Sequence, residues 1–125
     1  MRGALVVALG GALGSLGRYG LTELAQRLLG TGFPWGTLLV NVTGSALIGA
    51  LAGGLVPERI LAPTLVRELL VIGVCGGYTT FSSFSLQTLQ LLQAGEPLRA
   101  AANVLLSVAL CLAATYAGFV LARAA

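Results

Sequence analysis

Residues 75–85 read CGGYTTFSSFS, and the side chains in that run could handle an ion inside a lipid membrane. Hydroxyls on Thr79, Thr80, Ser82, Ser83 and Ser85 crowd together, with Phe81 and Phe84 between them. Gly73 and the Gly76-Gly77 pair each weaken a helix by about 1 kcal/mol relative to alanine. Irregular backbone at membrane depth is tolerated only where protein or a water-filled cavity covers it. A helix opened at Gly76–Thr79 frees carbonyl oxygens, which suit a hard cation such as Na⁺. The neighbouring hydroxyl hydrogens are donors and suit an anion. Phe81 and Phe84, three residues apart, lie one above the other on a helix. They can serve as ordinary packing. They can also present their positive ring edges to a small anion and replace part of its hydration.

Two further polar stripes recur at helical spacing. Thr37, Asn41 and Ser45 share one face, and Asn103, Ser107, Cys111 and Thr115 share another. A Ser or Thr can satisfy itself on the carbonyl one turn earlier, so a single hydroxyl decides little. Asn41 needs a partner, a water or a substrate; it is either glue between helices or part of a pathway. Arg18 lies roughly 23 Å along a helix begun at Gly3, at 1.5 Å per residue. There it either snorkels to the interface or draws anions into a vestibule. Glu23 comes late in its segment and the other carboxylates fall in loops. That argues against a proton-coupled cation exporter, which needs a titratable acid on its path.

The elements that must position these groups follow from composition. The chain has 125 residues, 57% hydrophobic and 9% charged, with no Lys, Asp or His. A soluble domain carries roughly a quarter charged residues, so lipid is the solvent for most of this surface. About 20 apolar residues span a membrane, and four stretches qualify, at about 3–29, 33–56, 69–92 and 100–122. Gly30-Thr-Gly-Phe-Pro34, Pro57-Glu-Arg with Pro63, and Gly95-Glu-Pro97 punctuate them. This predicts an all-α membrane protein, one four-span domain with no soluble part. Strict alternation is absent, against a β-barrel. Ala4–Leu13 has the length of a signal-peptide core, but its span continues and three more follow, so cleavage is not expected. Cys75 and Cys111 lie inside spans, without metal spacing, and read as small apolar fillers.

Four spans put both ends on one side, together with Arg2, Arg59, Arg67 and Arg123. Arg27 and Arg99 lie opposite, with Arg18 near that end. Arginine excess marks the cytoplasmic side, and this excess is too small to choose between termini in the cytoplasm and insertion both ways. Gly10, Gly14 and Gly17 in the first span, and Gly49 and Gly53 in the second, offer backbones for close helix packing, within the chain or between chains.

GGALGSLGRYG at 10–20, GTLLVNVTGS at 36–45 and CGGYTTFSSFS at 75–85 together resemble the Fluc family of fluoride channels, also called CrcB proteins. The third motif is highly specific, and the resemblance covers the whole chain. It implies an antiparallel, dual-topology homodimer of four-helix subunits with two fluoride pores, and no enzyme activity. It implies a third helix broken at Gly76–Thr79, and one structural Na⁺ held at the dimer centre by the carbonyls of Gly76 and Thr79 from both subunits. The family's aromatic box falls on Phe81 and Phe84, its pore asparagine on Asn41 and its vestibule arginine on Arg18. Its hydroxyl track falls on Thr80, Ser83 and Ser107. Cys111 stands where a hydroxyl is expected, and a thiol is a weaker donor. The implied activity is passive electrodiffusion of fluoride out of the cytoplasm, across an inner or plasma membrane. The expected partners are fluoride, lipid and a second copy, with no nucleic acid.

The main rival is a small four-helix multidrug exporter, which relies on a glutamate in its first span and aromatic walls for bulky cations. No Trp or Tyr cluster accompanies Glu23. A second rival is a tetraspan assembly protein whose polar stripes are glue alone. A soluble enzyme is excluded by composition, and GALGSLG lacks the preceding strand and following Lys of a phosphate-binding loop.

Overall fold

A computed structural model describes residues 1–125, and every regular element in it is helical. Helix α1 spans Arg2–Leu29 and α2 spans Trp35–Gly53. Two short helices follow, α3 at Glu58–Leu61 and α4 at Thr64–Arg67. The chain then winds as a π-helix through Glu68–Cys75, with the wider i→i+5 hydrogen bonding, into the single turn α5 at Gly76–Tyr78. Helix α6 spans Phe81–Gln93 and α7 spans Pro97–Ala124. Taken as one rod, Thr64–Gln93 is the third of four segments long and apolar enough to cross a membrane, with α1, α2 and α7 as the others. Only 17 of 125 residues are buried, so most leucines face outward, as a lipid solvent requires.

Glycine at positive φ ends three of these helices, at Gly30 after α1, Gly54 after α2 and Gly95 after α6. Gly54 has φ 102° and Gly95 has φ 75°, the left-handed region that a side chain disfavours. The Leu55 N–H then reaches the Ala50 carbonyl, and the Glu96 N–H the Leu91 carbonyl, which closes the helix end. Pro57 and Pro97 follow shortly after each.

The glycine faces find their partners inside the subunit. Helix α1 packs on the π-helical segment and α5, and α2 packs along α7. A Cβ added at Gly10 would lie 2.9 Å from the Gly73 Cα. One at Gly49 or Gly53 would run into the backbone of Thr115 or Phe119. A Cβ at Gly20, by contrast, would meet nothing, and the Gly11 backbone lies against Gly77.

Between α5 and α6 the backbone leaves helical geometry. Thr79 sits at φ −81°, ψ 158° and Thr80 at φ −153°, ψ 115°. Gly76 and Gly77, expected to open the helix, stay helical, so the extended residues are the two threonines. The reason is capping. The Thr80 Oγ1 accepts the Ser83 N–H at 3.2 Å and starts α6 as its N-cap.

Candidate functional site

The Thr80 peptide is fixed from across the bundle. Asn41 Nδ2 donates to the Thr80 carbonyl at 3.0 Å, and Asn41 Oδ1 accepts the Thr80 N–H at 2.8 Å. In a continuous helix that N–H would bond the Gly76 carbonyl. One amide on α2 thus takes over both backbone groups of one residue on the third span. The close approach needs Gly44, one turn beyond Asn41, where a Cβ would collide with the Thr79 methyl. Asn41 is therefore glue in this arrangement, and its second N–H remains for a further acceptor.

Around this clamp lies a cavity of about 420 Å³ between α2, the third span and α7. Asn41, Gly76, Thr79, Thr80, Phe81, Phe84 and Ser107 all line it, with Cys75 and Cys111. No carboxylate does. The two rings stand 5.3 Å apart at 48°. Phe84 is 9% exposed, whereas Phe81 is 78% exposed and faces out of the subunit. Ser83 is absent from the lining but is joined to it, since the Thr80 hydroxyl donates to Ser83 Oγ at 3.1 Å. Arg18 lies outside the cavity. Its Nη1 reaches from α1 to the Thr79 carbonyl at 3.4 Å, long for a bond to a charged donor. Glu23 is also outside, 3.7 Å from Arg27 on the same helix.

Asn103, first of the second polar stripe, also shapes the site, through partners that the stripe did not reveal. Asn103 is 1% exposed. It accepts from Ser107 Oγ at 3.5 Å and donates to Thr88 Oγ1 at 3.0 Å, and Thr88 in turn donates to the Phe84 carbonyl at 2.8 Å. This chain ties α7 to α6 behind the buried ring. Its signal was the burial an asparagine would need in a strongly apolar span, which spacing does not reveal. The Tyr78 hydroxyl pairs with Thr43 Oγ1 at 2.7 Å, and Ser15 Oγ donates to the Gly77 carbonyl at 3.4 Å.

Comparison with known proteins places the chain in a family. The family described as CrcB-like protein, Camphor Resistance (CrcB), matches residues 5–119. A protein of Rhodospirillum rubrum named fluoride-specific ion channel FluC is 55% identical over 117 residues, 93% of this chain and 91% of its own. One of Opitutus terrae with the same name is 52% identical over 119 residues, 94% and 90% of the two chains. The fluoride-specific ion channel FluC 1 of Nitrobacter hamburgensis is 50% identical over 119 residues, 95% and 94% of the two.

Proposed function

The chain belongs to the CrcB family, and on that premise we propose that it is a multi-pass membrane channel that passes fluoride, the ion in its relatives' names. One observation carries the reading. A single cavity gathers an asparagine amide, hydroxyls and two phenylalanine rings, and no carboxylate. Those groups are donors and positive ring edges, suited to a small anion. A multidrug exporter is not favoured, because Glu23 is paired at the end of α1 and borders no part of that cavity.

In the proposed path, Arg18 draws fluoride into a vestibule. The free Asn41 N–H, the hydroxyls of Thr80, Ser83 and Ser107, and the edges of Phe81 and Phe84 then replace its water. Chloride is refused by a narrow path with donors set for the smaller ion. Transport is passive electrodiffusion and, under cytoplasmic fluoride load, export. We assign the pathway to a dual-topology dimer with two pores and a third span broken at Thr79–Thr80. The outward Phe81 ring and the open Gly20 position on α1 support a second copy that closes the site.

The carbonyls of Gly76 and Thr79 fit the Na⁺ that the family implies. The Thr80 N–H has turned from Gly76 to Asn41, and the Thr79 carbonyl holds only the long Arg18 contact. Both are hard oxygen donors, and an antiparallel copy would double their number. Bound there, Na⁺ would supply positive charge that offsets part of the cost of burying an anion nearby.

The test is efflux from liposomes loaded with fluoride, with a potassium ionophore carrying counter-charge and a fluoride electrode as detector. Fast fluoride release with little chloride release is expected, impaired in Phe81→Ile, Phe84→Ile protein that remains dimeric. Release at the protein-free baseline from well-folded dimers would defeat the assignment.

A further inference from the structure

The two ends of the bundle treat their arginines differently. At the end away from the termini, Arg27 lies 3.7 Å from Glu23 and Arg99 lies 2.8 Å from Glu96. These are the only ion pairs in the chain. At the end that carries both termini, Arg2, Arg59, Arg67 and Arg123 have no carboxylate partner, the C-terminus included. Glu68, on that side, turns toward Gly3 on α1, where its Oε2 is buried without a hydrogen bond.

Two of those arginines border one cavity. It measures about 630 Å³ and opens between the end of α2, the α3 segment, the start of the third span and the end of α7. Arg67 and Arg123 line it, and Glu58 is its one carboxylate. Ile48, Leu51, Val71 and Phe119 form an apolar wall beside them. Arg123 stacks on the Phe119 ring, 5.3 Å from its centroid. Stacking holds the guanidinium plane and leaves its edge N–H groups free for an oxyanion. An arginine pair would suit any phosphate. The apolar wall, at the interface end of a membrane-spanning bundle, adds a surface that a free phosphate has no use for and an acyl chain does.

We infer that this cavity binds an anionic phospholipid of the phosphatidylglycerol type, with its phosphate between Arg67 and Arg123 and an acyl chain along the Ile48–Phe119 wall. The site is separate from the fluoride cavity, although Ile48 borders both. Charge complementarity selects the occupant, because a zwitterionic headgroup would set its own cation beside two arginines.

Native mass spectrometry of the full chain, released from nanodiscs with equal phosphatidylglycerol and phosphatidylcholine, tests the inference. Phosphatidylglycerol adducts should dominate. Replacing both arginines, Arg67→Gln with Arg123→Gln, should lower their retention roughly 25-fold, at about fivefold per charge near a membrane surface. Arg59→Gln, outside the cavity, should leave it unchanged. Lysine at both positions should keep retention within about twofold of wild type, and Glu58→Gln should raise it about fivefold. The glutamate variant decides the matter if the double glutamine protein fails to fold. Equal adducts of the two lipids would overturn the inference, as would full retention by the double glutamine variant or no response to Glu58→Gln. Loss of lipid adducts to added inorganic phosphate would assign the cavity to the free ion instead. None of these readouts depends on fluoride flux.

Discussion

Replacing Asn41 by Leu isolates the clamp that holds the third span. Leucine keeps the volume and removes both bonds to the Thr80 peptide, at 3.0 and 2.8 Å. Thr80 is buried, so water does not easily replace them. Each orphaned buried polar group costs about 1–3 kcal/mol, which gives roughly 2–6 kcal/mol for the pair. Taking about 2 kcal/mol, the Thr80 amide should exchange with solvent deuterons roughly 30-fold faster, since 1.4 kcal/mol is tenfold. Phe81 and Phe84, which follow directly on that residue, would lose their fixed position, and fluoride efflux should fall to baseline while the protein still purifies intact. The assay pairs deuterium exchange, read on a peptide covering 78–86, with liposome efflux. Asn41→Asp keeps the acceptor for the Thr80 N–H but faces the Thr80 carbonyl with a carboxylate, so it should lose efflux with a smaller change in exchange. Wild-type exchange and wild-type efflux in Asn41→Leu would refute the clamp.

Other perturbations separate the remaining contributions. Thr80→Val removes the N-cap of α6 and should cost about 1 kcal/mol in denaturant titration, with Ser restoring most of it. Gly49→Val drives a side chain into the Thr115 backbone and should destabilise the α2–α7 pair by about 1–3 kcal/mol or more, read as a lower midpoint in detergent unfolding. Phe81→Ala should leave monomer stability within about 0.5 kcal/mol, because the ring is exposed, yet lower fluoride efflux. Cys111→Ser puts a stronger donor on the cavity wall and should raise efflux, while a thiol reagent that slows the wild type should have no effect on that route.

Hydropathy and punctuation were enough to place four helices, since a lipid solvent leaves little choice of where apolar runs begin and end. Which helix meets which was not legible. Gly10 and Gly49 announce close contacts equally well with any smooth neighbour, and only the fold pairs one with Gly73 and the other with Thr115. Asn41 could be seen to need a partner, but that partner is a backbone peptide 39 residues away, invisible to any local pattern. The opening expected at Gly76–Thr79 includes the extended Thr79, and the extended backbone runs one residue further, to Thr80. A helix tolerates Gly77 where the Gly11 backbone packs against it. A threonine whose hydroxyl caps the next turn offers the chain a better alternative than continuing. The π-helical winding of Glu68–Cys75 left no trace in spacing either.

The clamp also has a direction in time. Asn41 precedes Thr80 in the chain, so α2 is already made when the third span leaves the ribosome, and the amide is waiting for the most polar segment to enter the bilayer. Helix α7, which covers the glycine groove of α2, comes last. A nascent chain ending near Gln93 would thus hold its extended threonines in place while its longest helix contact stands open, and completion of α7 would be the step that shuts the subunit.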